Sequence, residues 1–390
     1  MRVLIFFMQN NNIADAAWGF VQNGHEIIRY PEILKNFYSE AEEIEHIYTQ
    51  ALQIIRDKAI NACFSWNYTP AVSDACETVG IPYLSWSFDS PAIDIFSPNM
   101  KNKCNFFFNF DKECCREIKE AGAEHCNYLP LAVNALRLSN MDISDADIEK
   151  YTSEVSFLGN FYDHTLYEDM EPRMTPSMKA EIEDLFCRQI NCWDHNYIAQ
   201  AGNTDLMNRM QSRLAMGAIA DFYPETKPKH LYGGLMLARK YANLERRLIM
   251  EELAAHFPVT VITQSKIKDI PNVRYMDEVD YFGTMPVVFY SSKINLNITL
   301  RSIEKGVPLR IFDILGSAGF ALTNPQEAVY ELFEPGKDLV VYNSIEEMED
   351  LIRYYLSHEK ERMQIVANGF KKVNAEHNYE VRIRQMLEML

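Results

Sequence analysis

Residues 3–30 read VLIFFMQNNNIADAAWGFVQNGHEIIRY. The apolar run Val3–Met8 is too short and too continuous for an amphipathic helix, and reads as a strand buried on both faces. The stretch Ala14–Val21 carries helical periodicity and stops at Asn23-Gly24, and Glu26–Tyr30 resumes an extended pattern. Strand, helix and strand within about thirty residues form a βαβ unit, which requires a parallel sheet covered by helices.

Outward from that unit the rhythm repeats. Helices are expected at Ala41–Lys58, Pro70–Val79 (closed by Gly80) and Asp111–Ala121 (closed by Gly122). Strands are expected at Ala62–Trp66, Tyr83–Trp86, Asn105–Asn109 and Cys126–Leu129. A polar, acidic stretch at 137–154 reads as a linker or edge helix, after which Val155–Tyr162 opens a second series. The region Met178–His256 is helical, broken near Gly202 and at Pro224–Pro228. Then come strands Val259–Thr263, Val273–Tyr275, Ile294–Ile298, Phe320–Thr323 and Asp338–Tyr342. The helices between and after them are Met285–Tyr290, Leu309–Leu315, Gln326–Phe333 and Ile345–His358, the last opened by a Ser344/Glu347 capping box. The expected fold class is α/β, with two doubly wound Rossmann-like domains facing a cleft and a helical insert in the second. The expected boundaries are 1–150, 154–375 with the insert at 178–221, and a C-terminal helix in 376–390 returning toward the first domain.

Composition narrows the function. The 390 residues hold 38 Lys plus Arg against 55 Asp plus Glu, a formal charge of −17. Such a surface repels a phosphate backbone, and no local basic patch offsets it, so nucleic acid is not an expected partner. No run reaches the roughly 20 apolar residues that cross a bilayer, and Met1–Met8 is too short for a signal peptide. The eight cysteines lack zinc-type spacing and mostly sit in apolar stretches, which points to a reducing, cytoplasmic setting with no structural metal. The Asp145-Ala146-Asp147 triplet has the form of a metal-binding DxD, but sits in the polar linker. Phe186, Cys187, Ile190, Trp193 and Tyr197 in the insert fit a core or a homodimer face.

The chemistry concentrates in residues 291–320. Asn295 and Asn297 alternate with Ile294, Leu296 and Ile298, so a buried strand carries two amides on its other face. Pro308 suits the start of the next helix. There Arg310, Asp313 and Ser317 share one face at the cleft, while Gly316 and Gly319 permit close approach of a ligand or a neighbouring strand. A diphosphate is suited by a helix N-terminus with an Arg, and a ribose diol by a carboxylate. The competing reading of Arg310 and Asp313 is a solvated i, i+3 ion pair.

Several long motifs in order carry a resemblance: SKINLNITLRSIEKGVPLRIFDILGSAGFALTN (292–324), ELFEPGKDLVVY (331–342), YYLSHEKER (354–362), and, earlier, GIPYLSWSFDSP (80–91), CNFFFNFD (104–111) and YLPLAVN (128–134). The chain resembles group 1 glycosyltransferases of the GT-B fold, most closely the CgeB-like bacterial proteins. The resemblance implies transfer of a sugar from a nucleotide-sugar, with UDP the expected nucleotide, to a hydroxyl of a sugar, protein or small molecule. It implies no further cofactor, and a donor held mainly by the second domain. Asp313 falls where the second Glu of the family's E-x7-E motif contacts the ribose, whereas the first falls at Lys305, next to Glu304.

On this reading the donor-side residues are Gly159, Asn160, Tyr162, Arg246, Asn295, Asn297, Arg301, Arg310, Asp313, Gly316, Ser317 and Gly319. Gly159–Tyr162 is either a diphosphate loop or a plain strand-to-helix turn. Arg246 either reaches the diphosphate or forms a solvent-facing pair with Glu245. On the acceptor side Asn10, Asn11, Asn67 and Asp89 lie at strand ends. Asp89 is either a general base or a helix N-cap before Pro91. Arg310 is the expected group offsetting charge on the leaving diphosphate. A non-catalytic nucleotide-sugar-binding or surface-assembly protein of the same shape is the alternative.

Overall fold

The structure, a computed structural model, describes residues 1–8, 13–35, 41–216, 223–266 and 268–390. The chain divides into two compact units. The first comprises Met1–Leu131, Ala215–Lys227 and Tyr379–Leu390, and the second Ala132–Leu214 and Pro228–Asn378. The polar stretch at 137–154 therefore belongs to the second unit.

The first unit is built on strands β1 (Arg2–Met8), β2 (Glu26–Leu34), β3 (Ala62–Trp66), β4 (Tyr83–Ser87), β5 (Asn105–Asn109) and β6 (His125–Tyr128). They form one sheet in the order β2-β1-β3-β4-β5-β6, parallel throughout. The continuous apolar runs explain this, because β3 and β4 are buried at every position. The helices Ile13–Gln22, Ala41–Asp57, Pro70–Val79 and Lys112–Glu120 fall where expected. Gly24 and Gly80 end two of them at φ +78° and +75°, a left-handed conformation that costs glycine least.

The second unit holds β7 (Ser153–Leu158), β8 (Val259–Ile262), β9 (Val273–Met276), β10 (Ser292–Asn297), β11 (Ala321–Thr323) and β12 (Val340–Val341). Their order is β12-β11-β10-β7-β8-β9, again all parallel. Counted within the unit this is 6-5-4-1-2-3, the dinucleotide-fold order, whose ligand crevice lies at the carboxyl ends of the two strands flanking the reversal. Those strands are β7 and β10.

Within the helical stretch Pro176–Ile190, Tyr197–Ala201 and Asp205–Arg213 are α-helices, and Lys229–Leu237 is a π-helix running into Ala238–His256. The insert's apolar face is a core face in part, with the Phe186 ring 5.8 Å from Tyr241. The Ser344 cap differs from a closed box. Ser344 accepts from the Glu347 N–H at 3.0 Å, but the Glu347 carboxylate accepts from the Asn343 N–H at 2.6 Å, one residue early. Asp147 is engaged at another cap, its N–H donating to Ser144 Oγ at 3.1 Å.

The helix Tyr379–Glu388 completes the first unit. Tyr379 lies edge-on to the stacked indoles of Trp66 and Trp86, at 6.2 and 6.1 Å. The helix crosses Ile13–Gln22 at Gly19, where a β-carbon would stand 2.7 Å from Tyr379 O and 3.0 Å from Ile383 Cγ1. A methyl cannot fit without moving backbone, so Gly19→Ala is expected to destabilise the protein by about 1–3 kcal/mol. Urea denaturation of the variant beside the wild type measures it, and an unchanged midpoint would mean that the contact yields freely.

Candidate functional site

The carboxyl ends of β7 and β10 are joined by one side chain. Arg246, on Ala238–His256, donates from Nη1 to Asn160 O at 2.5 Å and from Nη2 to Ile298 O at 2.9 Å. Its guanidinium also lies 5.2 Å from the Tyr162 ring and 5.6 Å from the Phe157 ring. Arg246 is therefore a buried tie between the two loops, neither solvent-facing nor extended toward a ligand. Burial of the charge is offset by two carbonyls and two aromatic faces.

The loop after β7 is held from several sides. The Phe161 N–H donates to Ser265 Oγ at 2.9 Å, Asn243 Nδ2 donates to Phe161 O at 2.9 Å, and the Lys266 N–H donates to Asp163 Oδ2 at 2.8 Å. Tyr162 sits at φ +56°, a conformation costly for a bulky residue. Its N–H donates to Asn160 Oδ1 at 2.5 Å. Gly159 packs tightly, since a β-carbon there would meet the Phe157 ring at 2.8 Å. The result is a fixed loop, with Asn160 exposed at its tip.

Beside Arg246 is a second buried charge. Arg301, in the loop after β10, donates to Glu245 Oε1 at 2.8 Å, with both side chains at most 3% exposed. Burial works against the Arg301 charge, but the Glu245 carboxylate outweighs it and holds the guanidinium above its ordinary range. The pair also packs on Trp193 and Tyr241, whose rings lie 5.7 and 5.9 Å from Arg301. Sequence reading placed Glu245 and Arg246 on a helix without assigning its inner face. The signal was present: Ala242, Glu245, Arg246, Ile249 and Leu253 form one buried stripe at helical spacing.

Asn297, the last residue of β10, is buried and donates to Thr299 Oγ1 and Thr323 Oγ1 at 3.0 and 2.9 Å. Asn295 is committed to the sheet: it accepts from Ser156 Oγ at 2.9 Å and donates to Phe289 O at 3.0 Å. Neither amide is delivered to a ligand.

The helix Leu309–Gly316 starts at the carboxyl edge of the sheet, with Arg310 in its first turn. Arg310 Nη1 lies 2.8 Å from Met285 Sδ and 3.5 Å from Asp313 Oδ2, and its guanidinium stands 5.5 Å from the Phe289 ring. Its side chain keeps 30% of its surface, whereas Asp313 is buried and accepts from Tyr281 OH at 2.8 Å. Ser317 and the two glycines lie at the helix's other end, toward the amino edge of the sheet. Ser317 Oγ donates to Asp313 O. A β-carbon on Gly316 would strike Val133 at 2.6 Å, and one on Gly319 would meet Asn295 Nδ2 at 2.8 Å. These glycines admit neighbouring protein atoms. Lys305 is exposed, and Glu304 pairs with Lys229 at 3.3 Å.

In the first unit Asn10 and Asn11 lie outside the described residues. Asn67 and Asp89 do come together, with Asn67 Nδ2 donating to Asp89 Oδ2 at 2.6 Å and Asn67 Oδ1 accepting from the Phe88 N–H at 3.2 Å. Asn67 adopts φ +52° at the end of β3. Asp89 is exposed and caps no helix, because the next turn, Ile93–Ile95, has Ala92 at its N-cap. The more enclosed carboxylate is instead the half-buried Asp94, which accepts from the Tyr68 N–H at 2.7 Å. Burial pushes its pKa up to about 7, the Tyr68 bond opposes this, and the Asp89 charge adds to it. No spacing rule marked Asp94, one of two acids in an aromatic stretch.

The comparisons with known proteins bear on this frame. A family profile described as glycosyl transferase-like matches residues 239–388, a span that holds Arg246, Arg301, Arg310 and Asp313. No protein of curated function matches the sequence. Among solved structures, Anabaena Alr3699/HepE in complex with UDP and glucose superposes with TM-score 0.57 at 10% identity, covering 100% of both chains. Sucrose-phosphate synthase from Thermosynechococcus elongatus gives 0.54 at 7%, covering 100% of this chain and 98% of its own. Trehalose-6-phosphate synthase OtsA gives 0.54 at 8% with the same coverage. The fold is GT-B. A CgeB-like subgroup is not distinguished by these matches.

Two measurements probe the site's framework. Glu245 Oε2 and Arg301 Nε have no hydrogen-bond partner among the described residues, so the ion pair is only partly satisfied. Arg301→Met alone is expected to cost about 3–5 kcal/mol by stranding Glu245, and adding Glu245→Leu to restore much of it. A denaturant double-mutant cycle reads this, and additive losses would show that the two charges are uncoupled. For Asp94, the native carboxyl binds its proton more tightly than the unfolded one, so its contribution falls as pH rises from about 4 to about 7. Asp94→Asn is expected to gain on the order of 2 kcal/mol relative to wild type between pH 5 and pH 8. Parallel urea curves at the two pH values would show it, and equal slopes would refute the raised acidity.

Proposed function

We propose that this protein is a glycosyltransferase that moves a sugar from a nucleotide-sugar, a UDP-sugar by preference, to an acceptor hydroxyl. What carries the reading is that the matched segment 239–388 supplies β10, the loop after it and Arg246, which ties that loop to the one after β7 at the strand-order reversal of the second unit. Solved structures of the same fold support it, one being recorded with UDP and glucose.

Arg310 and the N–H groups of Leu309 and Arg310 at the start of Leu309–Gly316 are the groups suited to the diphosphate. Asp313, engaged by Tyr281 and beside Arg310, orients that guanidinium and leaves the ribose to exposed groups of the same edge. As the diphosphate departs, Arg310 offsets the growing charge without a divalent cation. A donor-binding protein without transfer is the second reading, favoured by Lys305 standing where the family's first motif Glu would fall.

UDP, GDP and dTDP would be added singly in thermal unfolding assays, and the matching nucleotide-sugars monitored for released nucleotide. At one hundred times its dissociation constant the preferred nucleotide should add about 2.7 kcal/mol of stability. Slow release of UDP is expected, unaffected by EDTA. Arg310→Ala should lower the rate about 10²–10³-fold while leaving the fold intact. Stabilisation without any release would favour the binding-only reading, and no shift with any nucleotide would remove both.

A further inference from the structure

A cavity of about 410 Å³ opens in the second unit among residues that precede β7, β10 and β11 in the chain, at the amino edge of the sheet. It takes no residue from the loops after β7 and β10, which lie at the opposite edge. The helices Ala135–Ser139 and Leu309–Gly316 end against it, and Asp145–Tyr151, Thr284–Ser291 and Glu359–Glu376 complete the wall. The volume suits one small organic molecule.

The polar part of the lining accepts hydrogen bonds and scarcely donates them. The Ser139 hydroxyl gives its proton to Leu136 O at 3.0 Å, and the Ser317 hydroxyl gives its own to Asp313 O at 2.7 Å. At the same two helix ends the N–H groups turn inward: Met141 donates to Leu138 O at 3.3 Å, Ser317 to Asp313 O at 3.1 Å and Ala318 to Leu315 O at 3.1 Å. What remains for a ligand is lone pairs, on the two hydroxyls and on helix-terminal carbonyls. Asp142 adds an exposed carboxylate with no ion-pair partner among the described residues. No Lys, Arg or His is among the lining residues, and the Leu309–Gly316 dipole turns its negative end this way. The other wall is apolar, made by Leu138, Met141, Ile148, Pro286 and Phe370, with the Tyr290 ring 50% exposed beside them.

Lone pairs and negative charge around an apolar pocket repel a carboxylate or a phosphate. A neutral alcohol would bring a single donor. A primary ammonium brings three donors and a positive charge, its charge is attracted to an open aromatic face, and an attached ring or short chain covers the apolar wall. We infer that this cavity binds a small protonated primary amine that carries an aromatic ring or a short alkyl chain. The inference does not rest on the glycosyltransferase reading, and the cavity holds none of the groups assigned there to the diphosphate.

The test is calorimetric titration with saturation-transfer NMR on the full chain, without nucleotide and near neutral pH. Phenethylamine and hexylamine are the probes, and phenethyl alcohol, phenylpropionate and phenethyltrimethylammonium the isosteres. Millimolar or tighter binding of at least one amine is expected, with each isostere weaker by about tenfold or more. Tyr290→Ala should weaken the amine about tenfold, Asp142→Asn about threefold, and Tyr290→Phe should bind as wild type does. Both side chains are exposed, so circular dichroism should match wild type in all three variants; the isostere series is read on wild type and stands apart from them. No binding of either amine at millimolar concentration, an affinity for the alcohol equal to that for phenethylamine, or an affinity unchanged in both Tyr290→Ala and Asp142→Asn overturns the inference. Equal affinity for the trimethylammonium overturns the hydrogen-bonding role given to the hydroxyls and carbonyls.

Discussion

The carbonyls of Asn160 and Ile298, just past the ends of neighbouring strands, are both met by the Arg246 guanidinium. A planar fork with donors at fixed angles is suited to this, as a flexible ammonium is not. The tie turns two loops from distant parts of the sequence into one rigid edge. Glu245, the preceding residue, grips Arg301 in the same loop, so consecutive residues of one helix hold the loop after β10 at both Ile298 and Arg301. A buried pair of this kind adds little net stability. Its effect is positional: the chain reaches Pro308 in a set direction, and the helix that follows begins at the carboxyl edge of the sheet.

That direction determines what the helix can offer. Met285, Phe289 and Asp313 confine Arg310 on one side while part of its surface stays open. An arginine held this way loses less entropy on meeting an anion than a free one. Asp313 is bound to Tyr281 and shielded from water. The two residues that sequence reading treated as equal ligand groups thus act in series, the acid steadying the base.

Strands and most helix ends were legible because local signals mark them: uninterrupted apolar runs, Gly24 and Gly80 at left-handed turns, Pro308 before a helix. The order of the strands was not, since pairing of β7 with β10 joins Val155 to Ile294 and nothing local encodes that. The site divided in the same way. Residues 159–162 and 309–313 stood out from their positions after strands and at a helix start. The partners of Arg246 and Arg301 did not, because each lies more than fifty residues away. Gly316 and Gly319 were misleading for a physical reason: space left by a missing side chain looks alike in sequence whether a ligand or Val133 fills it.

The chain passes from one unit to the other four times, after Leu131, Leu214, Lys227 and Asn378. The indoles of Trp66 and Trp86 are laid down early, yet the ring that closes over them belongs to Tyr379. During synthesis the face that will receive it therefore stays open to water while some three hundred further residues emerge. An apolar surface exposed that long invites aggregation. Any shortening of the chain before Tyr379 leaves the two indoles without the ring that closes over them.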